Sequence, residues 1–191
     1  MVRPLFGGAL SCDIPEGFAD VSAFRQVPDN QEVFANAATD QSVIIELLQY
    51  EENVRDAESA RYFFNELAQS NGCGPDEVTV RSAETADMER TARVSIDAPH
   101  TTQLIVGDQR VAKFKEDGYA KNVVRVYLGN VRLPGVTTDV IVTVSSPMHI
   151  HPSSSSSRDA PRVEHSSDAA AAAIFKRALQ TLVVVDWSLF Q

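Results

Sequence analysis

Residues 121–144 read KNVVRVYLGNVRLPGVTTDVIVTV and contain two apolar runs separated by a short turn segment. The first run extends from Lys121 to Leu133, and the second covers Asp139 to Val144. Both runs are rich in valine, a residue that favours strands, and Pro134-Gly135 between them is typical of a tight turn. The stretch therefore predicts two consecutive antiparallel strands.

Other strand-like segments precede this pair. Downstream of residue 77 they are Val78-Thr79-Val80, Thr91 to Ile96 and Gln103 to Phe114. Short Pro/Gly turns between consecutive strands indicate an antiparallel meander. Nearer the N-terminus, Val33-Phe34-Ala35 is typical of a strand. Residues 42–50 fit either a buried strand or the start of a helix, and three consecutive β-branched residues favour the strand.

Two helices flank the meander. Apolar residues recur at steps of three and four over residues 54–70, with Asn53 as the expected N-cap and Asn71-Gly72 as the stop. A second helix is expected over Ala169 to Leu182 with Asp168 as its cap. The pattern predicts one domain over residues 1–191 with an α+β fold, an α/β/α sandwich whose central, mainly antiparallel sheet is flanked by helices. The polar composition of residues 147–167 predicts a flexible loop, and the apolar C-terminal end is expected to dock onto the core.

The excess negative charge is concentrated near the N-terminus. Residues 13–58 contain 11 acidic and 2 basic side chains, so this block alone accounts for the net charge of −9. Such a block repels nucleic acid and anionic membranes and favours a basic protein partner, although acidity that only aids solubility is the alternative. No apolar stretch approaches the ~18 residues of a membrane span, and no signal peptide is apparent, so we expect the cytoplasm, the nucleus or both.

The sequence contains no recognised catalytic or cofactor motif. P-loop, G-x-G-x-x-G, H-E-x-x-H and G-x-S-x-G patterns are absent. Cys12 and Cys73 lack metal-binding spacing and are interpreted as reduced, buried thiols. His149, His151 and His165 lie in the serine-rich segment, where ordering a metal site would cost backbone entropy. We therefore expect no catalytic residue, no cofactor and no metal.

The segment RQVPDNQEVF at residues 25–34 is the candidate binding surface. Pro28 suits the second position of a tight turn, and the two residues after it are turn formers. If the segment forms one helical-type turn, Asp29 and Glu32 point the same way. Two carboxylates and two amides would then be displayed on a rigid turn. The residues alone leave an ordinary solvated turn as the alternative.

This segment and its flanks resemble the signature of the Ran guanine-nucleotide release factor family. The matching residues are, in order, Phe6-Gly7-Gly8-Ala9, Pro15, Asp20-Val21-Ser22, residues 27–34 and Thr39-Asp40-Gln41-Ser42 leading into residues 44–48. The match covers about the first quarter of the chain, and it is looser at residues 60–63 and 185–190. The family binds the small GTPase Ran and takes part in nuclear protein import.

The resemblance implies a PsbP-like sandwich and a non-enzymatic protein that promotes release of guanine nucleotide from Ran. It implies that Asp29 and Glu32 contact Ran, and proximity adds four second-rank candidates: Arg25, Asn30, Gln31 and Asp40. The expected localisation is nucleus and cytoplasm, and a further Ran-binding protein is left open as a second partner. The lack of heptads predicts a monomer. The alternatives are an accessory or small-ligand protein of the same fold and a hydrolase that uses a cysteine.

Overall fold

A computed structural model of the protein describes residues 1–85, 98–112, 120–154, 157 and 167–190. Its main feature is an antiparallel sheet with the strand order β3-β4-β5-β9-β8-β7-β6. The seven strands are β3 (Ala19–Asp20), β4 (Gln31–Asn36), β5 (Gln41–Gln49), β6 (Val78–Thr85), β7 (Thr101–Val111), β8 (Asn122–Leu133) and β9 (Thr138–His149). The predicted hairpin is β8–β9, with Val131 opposite Val140. The predicted antiparallel meander is confirmed for β6, β7, β8 and β9, each of which pairs with the next.

A second, smaller sheet was not predicted. It consists of β1 (Val2–Leu5), β2 (Leu10–Asp13) and β10 (Val183–Val184) in the order β1-β2-β10. The backbone N–H groups of Val185 and Asp186 both donate to the carbonyl of Ala9. Trp187 and Phe190 then pack against the main apolar cluster. The C-terminal end therefore docks onto the core, as expected.

The two helices cover opposite faces of the large sheet. The cluster under α1 (Ser59–Ser70) contains Ala60, Phe63, Phe64, Ile105, Val126, Leu128 and Ile141. The cluster under α2 (Asp168–Thr181) includes Val140, Val142, Val144, Ala171, Phe175, Ala178 and Leu179. Full burial of each large apolar side chain stabilises the fold by about 1.5–3 kcal/mol. This arrangement confirms the predicted α+β sandwich.

The predicted start of α1 at residue 54 was wrong. Residues Asp56–Glu58 form one turn of 3-10 helix, and α1 begins only at Ser59. The reason is Arg132 on β8, whose guanidinium donates to the carbonyls of Glu51 and Val54 at 2.6 Å each. Those carbonyls therefore bind a buried side chain instead of continuing a helix, and Asn53 caps nothing.

The cap predicted for α2 was also wrong. Ser167 is the N-cap, and its hydroxyl accepts from the N–H of Ala170. Asp168 is the first helical residue, and its carboxylate instead accepts a hydrogen bond from the hydroxyl of Tyr127 and pairs with Arg125 at 2.8 Å. The Asp168 side chain, which the local pattern assigns to capping α2, therefore binds Tyr127 and Arg125 of β8 instead.

Other boundaries are partly confirmed. Gly72, at φ +70°, ends α1 as predicted. Its N–H donates to the carbonyl of Gln69 and the N–H of Cys73 donates to the carbonyl of Ala68, which is a Schellman motif. The predicted loop at 147–167 was wrong at its start, since β9 continues to His149. Most of the rest of that predicted loop lies outside the described residues. The same is true of the predicted strand at 91–96 and of the end of the strand predicted to reach residue 114.

Candidate functional site

The predicted turn lies immediately before β4. The N–H of Gln31 donates to the carbonyl of Pro28 at 2.9 Å, which places Asp29 and Asn30 at the two central positions of a four-residue turn. We call residues 28–31 the acidic turn. Asn30 joins it to β5, because its side-chain amide donates to the carbonyl of Leu47 and its own carbonyl accepts the Leu47 N–H at 2.9 Å. The turn is therefore closed by its own backbone hydrogen bond and held to β5 by two hydrogen bonds at Asn30.

Asp29 is the exposed carboxylate of this turn. Among the residues that the structure describes, its side chain makes no hydrogen bond and no ion pair. Its carboxylate can therefore bind a partner without breaking a hydrogen bond or ion pair to any described residue. Because the backbone beneath it is fixed, little conformational entropy is lost when it binds.

Glu32 is placed differently. It belongs to β4, is half-buried and accepts a hydrogen bond from the backbone N–H of Phe6 at 2.5 Å. Phe6 has a positive φ of 49°, so this carboxylate stabilises a left-handed backbone segment. Asp29 and Glu32 are therefore held by different elements, and the expectation that they share one helical turn was wrong.

Gln31 and Glu32 face opposite sides of the sheet, as neighbouring strand residues do. Glu32 lies across from Ile45, which belongs to the cluster under α2. Gln31 lies across from Glu46, and its side-chain amide donates to that carboxylate at 2.7 Å. The surface around the acidic turn thus continues onto the α1 side of the sheet.

The second-rank candidates do not form one cluster. Arg25 is exposed in the loop that leads to the acidic turn, and its backbone N–H donates to the carbonyl of Val21. Asp40, with φ +53°, lies in the turn between β4 and β5, at the far end of that hairpin. Six residues of β4 separate the two turns, which corresponds to ~20 Å. A partner that contacts both turns must span the whole hairpin.

One exposed residue near the acidic turn was missed by the sequence analysis. Phe24 is 79% exposed and closes the 3-10 turn Val21–Ala23, which lies beside β4. Exposed aromatic side chains are enriched at protein interfaces. The sequence signal is an aromatic residue outside any helical or strand period, only five residues before Asp29.

The two cysteines differ in burial: Cys12 is buried, as predicted, whereas Cys73 is only half-buried. Burial, followed by the nearby carboxylates of Asp13 and Glu32, raises the pKa of Cys12 to about 12, so the thiol is protonated and unreactive at neutral pH. Within the described ranges, no group of three metal-binding side chains is found. None of the helices in that part of the chain is long and apolar enough to span a membrane.

Comparison with known proteins identifies the family. Residues 3–147 match the family described as "Ran-interacting Mog1 protein", which is more than half of the chain. The chain therefore belongs to the Ran-interacting Mog1 family. The acidic turn, Phe24 and the hairpin β4–β5 all lie within the matched residues.

Individual relatives are similar over most of their length. The chain is 46% identical over 159 residues to the "Ran guanine nucleotide release factor" of Danio rerio, covering 82% of this chain and 83% of the relative. It is 33% identical over 189 residues to the "Nuclear import protein mog1" of Schizosaccharomyces pombe, covering 97% and 98%. The 1.9 Å crystal structure of the Saccharomyces cerevisiae Ran-binding protein Mog1p has a TM-score of 0.72 at 22% identity, covering 100% of this chain and 98% of that one, which supports the fold.

Proposed function

We propose that this chain binds the small GTPase Ran and promotes release of its guanine nucleotide, in support of nuclear protein import. The proposal is supported by family membership and by relatives named as Ran guanine nucleotide release factors and nuclear import proteins. The chain acts as a binding protein rather than an enzyme. Residues 1–191 act as one monomeric Ran-binding domain in nucleus and cytoplasm.

The acidic turn is the main structural support for the proposed Ran-binding site. Asp29 is exposed on a turn that hydrogen bonds hold to β5, within the block that accounts for all the net negative charge. GTPases hold their anionic nucleotide with lysine side chains and Mg²⁺. A fixed carboxylate that pairs with such basic groups competes with the nucleotide for them. We assign the primary Ran contact to Asp29, with Glu32 and Phe24 beside it.

Glu32 contributes in two ways under this proposal. One carboxylate oxygen holds the N–H of Phe6, while the other has no partner among the described residues and is available to Ran. Asn30 and Gln31 hold the turn in place through β5. Arg25 and Asp40 are peripheral contacts, the latter only if Ran extends along the hairpin.

The experiment measures loss of a fluorescent guanine nucleotide from Ran as the protein is added. The wild-type chain should accelerate release, and Asp29→Ala should abolish both acceleration and Ran pull-down while the fold stays intact. Asp76→Ala is the matched control, because Asp76 is also exposed but lies in the 3-10 turn before β6. No acceleration by the wild type would refute the function, and full activity of Asp29→Ala would refute only the site.

A further inference from the structure

A groove on the α1 side of the sheet adjoins the acidic turn. Its volume is about 270 Å³, and it lies between α1 and strands β4, β5, β8 and β9. We call it the α1 groove and define it by Gln31, Glu46, Leu48, Phe63, Glu66 and Leu67. Gln31 is both a residue of the acidic turn and a wall of the groove, so the two surfaces are continuous.

The groove combines an apolar floor with an acidic rim. Leu48, Phe63 and Leu67 form part of the floor together with sheet residues of the cluster under α1. Glu46 and Glu66 supply two carboxylates, and among the described residues that line the groove there is no basic side chain. Gln31 donates to one oxygen of Glu46 and thereby orients it. Such an acidic rim over an apolar floor attracts a cation on an apolar stem.

The size of the groove restricts its occupant. Sites for drug-sized small molecules usually occupy ~300–1,000 Å³, so this groove falls just below that class. A lysine or arginine side chain suits it, because such residues bury their methylene stem along apolar surface while the charged end stays near polar groups. Apolar side chains alone would leave the two rim carboxylates facing an uncharged group.

We propose that the α1 groove receives a lysine or arginine side chain of the GTPase partner. The stem packs on Leu48, Phe63 and Leu67, and the cation pairs with Glu46 and Glu66. This inference rests on the proposed function and extends it, because Ran then contacts the chain at two adjacent places, the acidic turn and the α1 groove. Two adjacent contacts, one on the turn before β4 and one between α1 and the sheet, fix the orientation of the partner as well as its affinity.

The test is the affinity for Ran of the double variant Glu46→Gln/Glu66→Gln. Both changes keep side-chain shape and keep an oxygen that accepts from Gln31, but they remove two charges. The matched control is Asp76→Asn/Glu84→Gln, which removes two exposed charges outside the groove and gives the same net charge. We expect the groove variant to bind Ran at least about tenfold more weakly, a change of ~1.4 kcal/mol, and the control to change affinity by less than about threefold.

A third variant separates insertion from general attraction. Ser70→Trp places a large side chain at the exposed, groove-lining end of α1 and leaves every carboxylate in place. It should weaken binding as much as the charge variant does. Equal affinities of the groove variant and the control would overturn the inference, as would full binding by Ser70→Trp. Failure of the wild type to bind Ran would instead refute the proposed function itself.

Discussion

Glu32→Ala should separate a structural contribution of the proposed site from a binding contribution. The substitution removes the acceptor of the Phe6 N–H, whose hydrogen bond to the carboxylate measures 2.5 Å. Hydrogen bonds to charged groups contribute ~1.5–3 kcal/mol. Because Glu32 is only half-buried, we take the lower end, about 1.5 kcal/mol. Asp29→Ala, at an exposed position whose side chain makes no hydrogen bond or ion pair with the described residues, should change the free energy of unfolding by less than ~0.5 kcal/mol.

The measurements are urea denaturation and thermal unfolding of four proteins: the wild type, Glu32→Ala, Glu32→Gln and Asp29→Ala. For a chain of this size, a loss of 1.5 kcal/mol corresponds to a decrease in Tm of about 3–6 °C. Glu32→Gln keeps a neutral acceptor and should lie between the wild type and Glu32→Ala. Hydrogen exchange of the Phe6 amide should accelerate in Glu32→Ala and stay slow in Asp29→Ala.

Both alanine variants should also bind Ran more weakly, but only Glu32→Ala should be less stable. A Glu32→Ala variant that matches the wild type in stability and in protection of the Phe6 amide would refute the stabilising role of the Glu32–Phe6 hydrogen bond. Equal losses of stability in Asp29→Ala and Glu32→Ala would also refute it, because Asp29 makes no hydrogen bond or ion pair with the described residues.

Three further predictions concern an exposed side chain and two ion pairs. Phe24→Ala should weaken Ran binding about tenfold in a titration and leave Tm unchanged, because the ring is 79% exposed in the free protein. Arg132→Met should lower the free energy of unfolding by ~3–5 kcal/mol in urea, because Asp139, 0% exposed and 3.0 Å from that guanidinium, would lose its partner; a near-neutral result would contradict this. Hydrogen bonds from Tyr127 and Arg125 lower the pKa of Asp168, so its contribution to stability is present above pH ~4 and is lost as pH falls through the lowered pKa. Asp168→Asn should therefore be less stable than the wild type at pH 7, and a gap that does not narrow as the pH falls below ~4 would refute the assignment.

The parts of the fold that local pattern predicts are those whose cause is local. Valine-rich alternation and a Pro/Gly turn suffice for the β8–β9 hairpin, and the Schellman motif at Gly72 needs only the end of α1. The start of α1 was missed because Arg132, about eighty residues away in sequence, takes the carbonyls of Glu51 and Val54. Nothing within the helical segment signals that contact. The small sheet was missed because β10 is only two residues long and pairs with β2 at the other end of the chain.

The candidate site likewise has parts that depend on local sequence and parts that depend on distant residues. The turn at Asp29 and Asn30 follows from the residues that form it, and the structure places a turn there. The direction of Glu32 depends on Phe6, 26 positions earlier, which no spacing rule within the segment contains. The α1 groove requires residues from a helix and several strands to meet. A surface assembled from distant segments is visible only after the fold is known.

Release of nucleotide from a GTPase places a physical demand on the protein that causes it. The binding coupling is reciprocal, so a factor that weakens nucleotide affinity must itself bind nucleotide-free Ran more tightly than loaded Ran. A flexible acidic loop would adapt to both states and would discriminate little between them. The acidic turn is instead fixed by two hydrogen bonds to β5, and the α1 groove shares Gln31, Glu46 and Leu48 with the same hairpin. A rigid surface of this kind favours the one arrangement of basic groups that it fits. Differential affinity, and hence release, can therefore come from the placement of a few carboxylates without any chemical step by this chain.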